Sequence, residues 1–242
     1  MVPHSPETDK FFDTLPIFCD LTPLQSEQAR AVLSVLRVEA GHTLMAAATS
    51  GDMVYIVAEG SVKIYAASDF DEGEMLLGLR GPGEVLGEMS VLDGQRRSAT
   101  VITQEPTILF CLTHADFWDI LWEMPPIPYN LMRSLTQRTR VLTSQVQAFS
   151  SLDVQGRLAR ELLILAQEYG RPYPDEGENA RLIPFQLKQT EIAAMIGATR
   201  EQVNQLLSSW RRRGFIARDR VRGAHIVVCN DEALRKFYQR KA

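Results

Sequence analysis

Two stretches of this sequence hold side chains whose chemistry is more specific than packing. The first runs Gly83-Glu84-Val85-Leu86-Gly87-Glu88-Met89-Ser90-Val91-Leu92-Asp93-Gly94-Gln95-Arg96-Arg97-Ser98-Ala99-Thr100 and sets glycines that free backbone N–H groups beside a carboxylate, an arginine and a hydroxyl. A guanidinium and backbone donors suit a single phosphate charge, and a carboxylate can accept from a ribose 2′-OH, so a cyclic nucleotide needs these parts. A glycine-rich turn beside an arginine specifies little by itself, since most such turns are only turns. The second stretch runs from Gln189 to Trp210. A short helix ends there at Gly197, and another begins with Thr199 as N-cap and Gln202 three residues on, a capping box. Val203, Leu206, Leu207 and Trp210 fall inward, whereas Arg200, Glu201, Asn204, Gln205 and Ser208 share the outer face. That is a helix-turn-helix with a polar face suited to base edges.

The elements that must position these groups follow from pattern. Residues 11–36 read as helical on both sides of a turn at Asp20 to Pro23, with Thr22 as N-cap before Pro23. From Val38 to Leu112 short β-branched runs are cut by glycines, as expected of a small antiparallel barrel or roll. Val54-Tyr55-Ile56-Val57, then Glu59-Gly60, then Ser61-Val62-Lys63-Ile64-Tyr65 reads as a hairpin. Thr113 can cap a helix through Trp122, and Met124-Pro125-Pro126 breaks it. Pro128 to Ser151 then reads as one long helix, in which Met132, Leu135, Thr139, Leu142, Val146 and Phe149 recur at spacings of three and four. Such a seam predicts a parallel homodimer. Asp153 can cap a helix from Val154 to Tyr169, followed by an exposed loop from Arg171 to Ala180. Beyond the helix-turn-helix, Phe215-Ile216 and Val227-Val228 read as a β-wing turning at Arg222-Gly223 and carrying Arg218, Arg220 and Arg222, with a last helix from Asp231 to Arg240.

Charge and composition narrow the function. Residues 185–242 hold 12 Lys+Arg against 5 Asp+Glu, while residues 1–184 hold 14 against 25. A basic terminal unit on an acidic body is the footprint of a nucleic-acid module joined to something else. No run approaches the roughly 20 apolar residues of a membrane span, and Met1 to Lys10 has no apolar signal core, so a cytoplasmic location is expected. Cys19, Cys111 and Cys229 are far apart with no CxxC, so no metal site is expected. No nucleophile–base pair stands near Glu88 and Arg97, and His42 and His114 are isolated, so the chain is not expected to be an enzyme.

The Gly-Glu run ending in Arg97-Ser98-Ala99, the Val-Tyr-Ile-Val-x-x-Gly-x-Val-Lys stretch at Val54–Lys63 and the helix-turn-helix resemble the CRP/FNR superfamily of bacterial transcription regulators, from about residue 15 onward. The resemblance implies an α+β chain: a cyclic-nucleotide-binding β-roll over residues 1–127, a dimerisation helix over 128–151 and a winged helix-turn-helix over 152–242. It implies a cyclic nucleotide effector, cyclic AMP first, with Glu88 on the ribose, Arg97 and Ser98 on the phosphate, Gly87 and Ala99 giving backbone contacts, and Met89 beside them. The family's two adenine-binding hydroxyls fall at Leu142 and Thr143, so one is lost and one kept. A relic roll, or one taking another ligand such as a cyclic dinucleotide, is the alternative. The FNR branch's clustered cysteines are missing around Cys19, so its oxygen chemistry is not implied. Implied partners are RNA polymerase and a two-fold symmetric DNA site with half-sites like TGTGA, read from Lys188, Gln189, Thr199, Arg200, Glu201, Gln202, Asn204, Gln205, Arg218, Arg220 and Arg222. Gln205 stands where cyclic-AMP-binding members carry an arginine.

Overall fold

The computed structural model describes residues 2–3, 6–67, 74–220 and 225–239, and the chain divides into two compact units, Met1–Arg140 and Val141–Ala242. In chain order the first unit contains β1 (Val2–Pro3), α1 (Pro6–Phe12), α2 (Pro23–Val32), β2 (Ser34–Val38), β3 (Thr43–Met45), β4 (Met53–Glu59), β5 (Val62–Ala67), β6 (Glu74–Arg80), β7 (Val85–Leu86), α3 (Glu88–Asp93), β8 (Thr100–Thr103), β9 (Thr107–Thr113) and α4 (His114–Glu123). Its strands pair antiparallel in two sheets, ordered β1-β2-β9-β4-β7 and β3-β8-β5-β6. Val54, Ile56, Phe110 and Leu112 pack with Phe12, Phe18, Phe117 and Ile120 of the flanking helical segments. Val57, Val62, Leu86, Val101, Leu109 and Cys111 fill a second core. Burial pushes the Cys111 thiol up to about 12, so it is an inert core side chain.

Three local expectations fail here. The second N-terminal helix stops at Val32, and residues 34–38 are a strand paired with β9. Leu33-Ser34-Val35-Leu36 looks helical by its apolar content, yet residues 34–38 run antiparallel along β9 from Ser34 opposite Cys111 to Val38 opposite Thr107. β4 and β5 are not a hairpin either, because each pairs with other strands in a different sheet. Gly60, at φ 88°, is a corner: a Cβ there would stand 2.6 Å from Thr107 Oγ1 and 2.7 Å from the Pro106 carbonyl. The third is α3, a helix inside the glycine-rich run that begins after Gly87 at φ 79° and ends at Gly94 at φ 69°.

Helix α5 (Pro126–Ser151) starts two residues before the expected Pro128, since proline is tolerated in a first turn where the amide has no helical partner. Ile127 and Leu131 join the first unit's core, and the buried Asn130 donates to the carbonyls of Ile17 and Cys19. Along the same helix Met132, Leu142, Val146 and Phe149 are 58%, 58%, 69% and 49% exposed. Four large apolar side chains left at about half exposure or more on one helix mark a surface built to be covered.

The second unit continues with α6 (Val154–Glu168), β10 (Arg171–Pro172), β11 (Arg181–Leu182), α7 (Gln189–Ile196), α8 (Arg200–Arg212), β12 (Ile216–Arg218), β13 (Ile226–Val228) and α9 (Asp231–Arg235). Asp153 caps α6 by accepting from the Gly156 amide at 2.8 Å. The exposed loop expected from 171 to 180 is largely that, with two departures: Arg171–Pro172 pair with β11 in a four-stranded sheet, β10-β11-β13-β12, and Ala180 is buried. The last helix is shorter than expected: α9 ends at Arg235, a turn brings Phe237 onto Trp210 with ring centroids 5.1 Å apart, and Arg240 lies outside the described residues.

Candidate nucleotide and nucleic-acid sites

The first site forms where β7 turns into α3. Gly87 takes the left-handed conformation that reverses the chain, and Glu88 follows as the first residue of α3, only 3% exposed. A carboxylate so far from water needs a cation. It is Arg138 of α5, whose Nη1 donates to Glu88 at 2.6 Å while Nη2 and Nε donate to Glu84 at 2.7 and 3.1 Å, and Nη2 also to the Val85 carbonyl. Burial disfavours the Arg138 cation, but Glu88 and Glu84 together outweigh it and hold its pKa above the ordinary arginine value. The sequence pattern of the long helix does not single out Arg138. The signal was present, since a carboxylate at a buried helix start in an acidic unit calls for a nearby cation.

Arg97 is 6% exposed and lies between two glycines. Its Nη1 donates to the Gly87 carbonyl at 2.7 Å and to Ser90 Oγ at 3.1 Å, and Nη2 donates to the Met53 carbonyl at 2.6 Å. Burial lowers its pKa, with Tyr55, Asp52 and Glu88 pulling the other way, and an arginine stays charged at neutral pH under such a shift. Among the described contacts, Nε–H and the remaining Nη2–H have no protein acceptor. These two donors form the planar fork that takes two oxygens of one anion. A Cβ at Gly51 would stand 1.9 Å from Nε and 2.4 Å from Nη2, and one at Gly87 would stand 2.2 Å from Nη1. Both glycines therefore keep the guanidinium in a cradle that a methyl group would fill. Gly51 is a second residue missed in the sequence, where it reads as one more turn glycine.

Ser98 is exposed beside Arg97 with Met89 Sδ 3.9 Å from its Oγ, Met89 is 52% exposed, and Ala99 is buried at the start of β8. The roll thus brings Gly87, Glu88, Met89, Arg97, Ser98 and Ala99 together. Leu142 and Thr143 belong to the second unit, and their roles stay with the resemblance. Among the described residues no cluster of three or more His, Cys, Asp or Glu could hold a metal ion.

The nucleic-acid site is built on α7 and α8. Gly197, at φ 60° and ψ 53°, ends α7, and Thr199 caps α8 by accepting from the Gln202 amide at 3.2 Å while Gln202 Oε1 accepts from the Thr199 amide at 3.0 Å. Val203, Leu207 and Trp210 are buried, and Arg200, Glu201, Gln202, Asn204 and Gln205 are exposed. The polar face is pre-oriented: Gln189 Nε2 donates to Asn204 Oδ1 at 3.0 Å and Gln205 Nε2 to Glu201 Oε1 at 3.4 Å. The Lys188 amide donates to Glu191, which caps α7. In the wing, β12 pairs with β13 and ends at Arg218, while Arg220 donates to Glu176 at 3.1 Å. Arg222 lies outside the described residues. Arg211 has its pKa lowered first by burial and then by the Arg218 charge.

A roll that holds a buried guanidinium between two glycines and beside a buried carboxylate, joined to a winged helix-turn-helix, points to a class: transcription regulators that couple a cyclic nucleotide-binding domain to DNA binding. Comparison with known proteins agrees. The cyclic nucleotide-binding domain family matches residues 35–123 and the Crp-like helix-turn-helix domain family residues 156–237. The chain is 35% identical to a CRP-like cAMP-activated global transcriptional regulator of Mycobacterium tuberculosis, over 80% of this chain and 83% of the relative. It is 28% identical to the cyclic AMP receptor protein of Thermus thermophilus, over 83% and 88%. The solved c-di-GMP-responsive global regulator of Xanthomonas campestris superposes with a TM-score of 0.68 at 23% identity, covering 86% of this chain and 99% of that one, a likeness of fold. The chain belongs to the CRP/FNR superfamily of bacterial transcription regulators.

Proposed function

We propose that this regulator is a homodimer whose sequence-specific DNA binding is controlled by cyclic AMP held in the roll. The observation that carries the effector reading is the Arg97 cradle: a buried guanidinium, with one donor fork left over, lies between Gly51 and Gly87 and beside Glu88 and Ser98. One singly charged cyclic phosphate fits that fork, and the 2′-OH of the same ribose suits the Glu88 carboxylate. The two named relatives that respond to cyclic AMP support the choice of base. The half-exposed stripe of Met132, Leu142, Val146 and Phe149 supports the dimer. Arg200 at the start of α8 suits guanine O6 and N7, and Gln205 suits adenine better than guanine. RNA polymerase is the partner through which such a dimer acts on transcription.

The test is calorimetric titration of the whole chain with cyclic AMP, cyclic GMP and cyclic di-GMP. Cyclic AMP binds the wild type, and Arg97→Gln loses about 2 kcal/mol, roughly thirtyfold in affinity, the scale of a charge-assisted contact. Equal affinity in both proteins, or tighter binding of the dinucleotide, refutes the assignment.

A further inference from the structure

The end of α5 and the turn of the helix-turn-helix meet at one arginine. Arg157, on the first turn of α6, donates from Nη1 to the Leu152 carbonyl at 2.9 Å, from Nε to the Ile196 carbonyl at 2.7 Å and from Nη2 to the Gly197 carbonyl at 3.1 Å. Leu152 follows α5 directly, while Ile196 and Gly197 are the last residue and C-cap of α7. Those carbonyls lack helical donors because helix ends leave them unpaired, and Arg157 gathers them from two helices at once. Its guanidinium also lies over the Phe149 ring, 5.5 Å from the centroid, within cation–π range. The ring in turn lies under the turn itself: a Cβ at Gly197 would stand 2.9 Å from its Cε1. Two further pairs, Arg160 with Ser144 and Glu161 with Gln145, tie α6 back onto the last turns of α5.

Phe149 therefore has two neighbours in prospect. It is the last position of the apolar seam after Leu142 and Val146, and it is still 49% exposed. It is also the floor on which the turn before Thr199 rests. A residue two positions from the cap of α8 cannot shift without moving Arg200.

We propose that Arg157 is a positioning residue for DNA recognition: it clips the turn between α7 and α8 to the end of α5, with Phe149 as the shared contact, so that pairing of the seam as far as Phe149 fixes the orientation of the recognition helix. The proposal rests on the homodimeric DNA-binding reading above and names the joint through which dimer and DNA site are linked. A partner helix laid on the exposed face of Phe149 removes the ring's freedom and presses it against Gly197. An effector that completes the seam favours DNA binding only as far as it binds the locked state more tightly.

The test uses the full chain and a DNA duplex selected from random sequence by the wild-type protein. Specific and non-specific DNA affinity is measured by fluorescence anisotropy with and without saturating cyclic AMP, beside sedimentation for dimer mass. Phe149→Leu suits the seam but removes the ring face, and Arg157→Lys keeps the charge but cannot reach three carbonyls. Both are expected to remain dimers and to lose at least tenfold in affinity for the selected duplex, with little change on non-specific DNA. Phe149→Tyr, which keeps the ring, should retain wild-type affinity. Wild-type affinity in both Phe149→Leu and Arg157→Lys, or equal losses in Phe149→Tyr and Phe149→Leu, overturns the proposal. A wild type indifferent to cyclic AMP instead refutes the effector reading, and the comparison of Leu with Tyr still decides the joint.

Discussion

Replacing Arg138 by leucine removes the cation that Glu88 and Glu84 share. The Glu88 side chain is 4% exposed, Arg138 18% and Glu84 22%, so the first carboxylate is left in a site that water barely reaches and the second keeps some access. Breaking a buried ion pair from one side costs about 3 to 5 kcal/mol, because the uncompensated charge dominates over the contact itself. Partial access at Glu84 and Arg138 places this pair near the lower end, about 3 kcal/mol, which is close to a 150-fold fall in the folding constant. With a urea slope of about 2 kcal/mol/M, the unfolding midpoint of the roll should fall by about 1.5 M. Tryptophan fluorescence in a Trp210→Phe background reads the roll alone, since the other two tryptophans, Trp118 and Trp122, sit on α4. The double variant Glu88→Gln, Arg138→Leu should recover most of the loss, because a neutral amide leaves no buried charge. A midpoint shift below about 0.3 M for Arg138→Leu, or a double variant no more stable than the single, would refute the reasoning.

Other consequences are as direct. Gly51→Ala places a methyl group on the guanidinium of Arg97, so nucleotide affinity should fall at least tenfold while the fold survives, because the far end of a flexible side chain can move aside; unchanged calorimetry would show the cradle is not the site. Leu142→Glu sets two carboxylates face to face in the seam at a cost of about 3 kcal/mol or more, and the variant should sediment as a monomer at micromolar concentration, unlike the wild type. Burial pushes the Glu161 carboxyl above its ordinary value, with Gln145 and Arg160 pulling back, so the folded chain holds that proton more tightly than the unfolded one. Its contribution is complete below the ordinary glutamate value and is lost as pH rises through the folded value; Glu161→Gln should therefore melt higher than wild type at pH 7.5, with the difference closing toward pH 4 in calorimetry. In binding-site selection, Arg200→Ala should abolish one guanine preference per half-site and Gln205→Arg should create another.

The sequence shows the helix-turn-helix well because its signals are local. Thr199 and Gln202 cap within one turn, Gly197 supplies a left-handed residue, and Val203, Leu207 and Trp210 repeat at helical spacing, so each feature can be read without knowing what lies across the fold. The roll is less legible because its pairing is not local. Gly60 looks like a hairpin turn, yet what decides its role is the approach of Pro106 and Thr107, more than 40 residues away, which makes it a corner between sheets. The same holds for β11, which pairs with β13 through Arg181 opposite Val228 and Leu182 opposite Val227, partners far along the chain. In the candidate nucleotide site, the run around Glu88 and Arg97 supplies the groups proposed to touch a ligand, since those follow from the ligand's chemistry. The groups that hold them ready are fixed by burial instead. Arg138 is required because Glu88 is 3% exposed, and Gly51 because the Arg97 guanidinium occupies the space its side chain would need. A carboxylate among apolar strand residues and beside a left-handed glycine is thus a sequence-level demand for a cation elsewhere, and in this acidic unit that demand falls on the helix that also carries the seam.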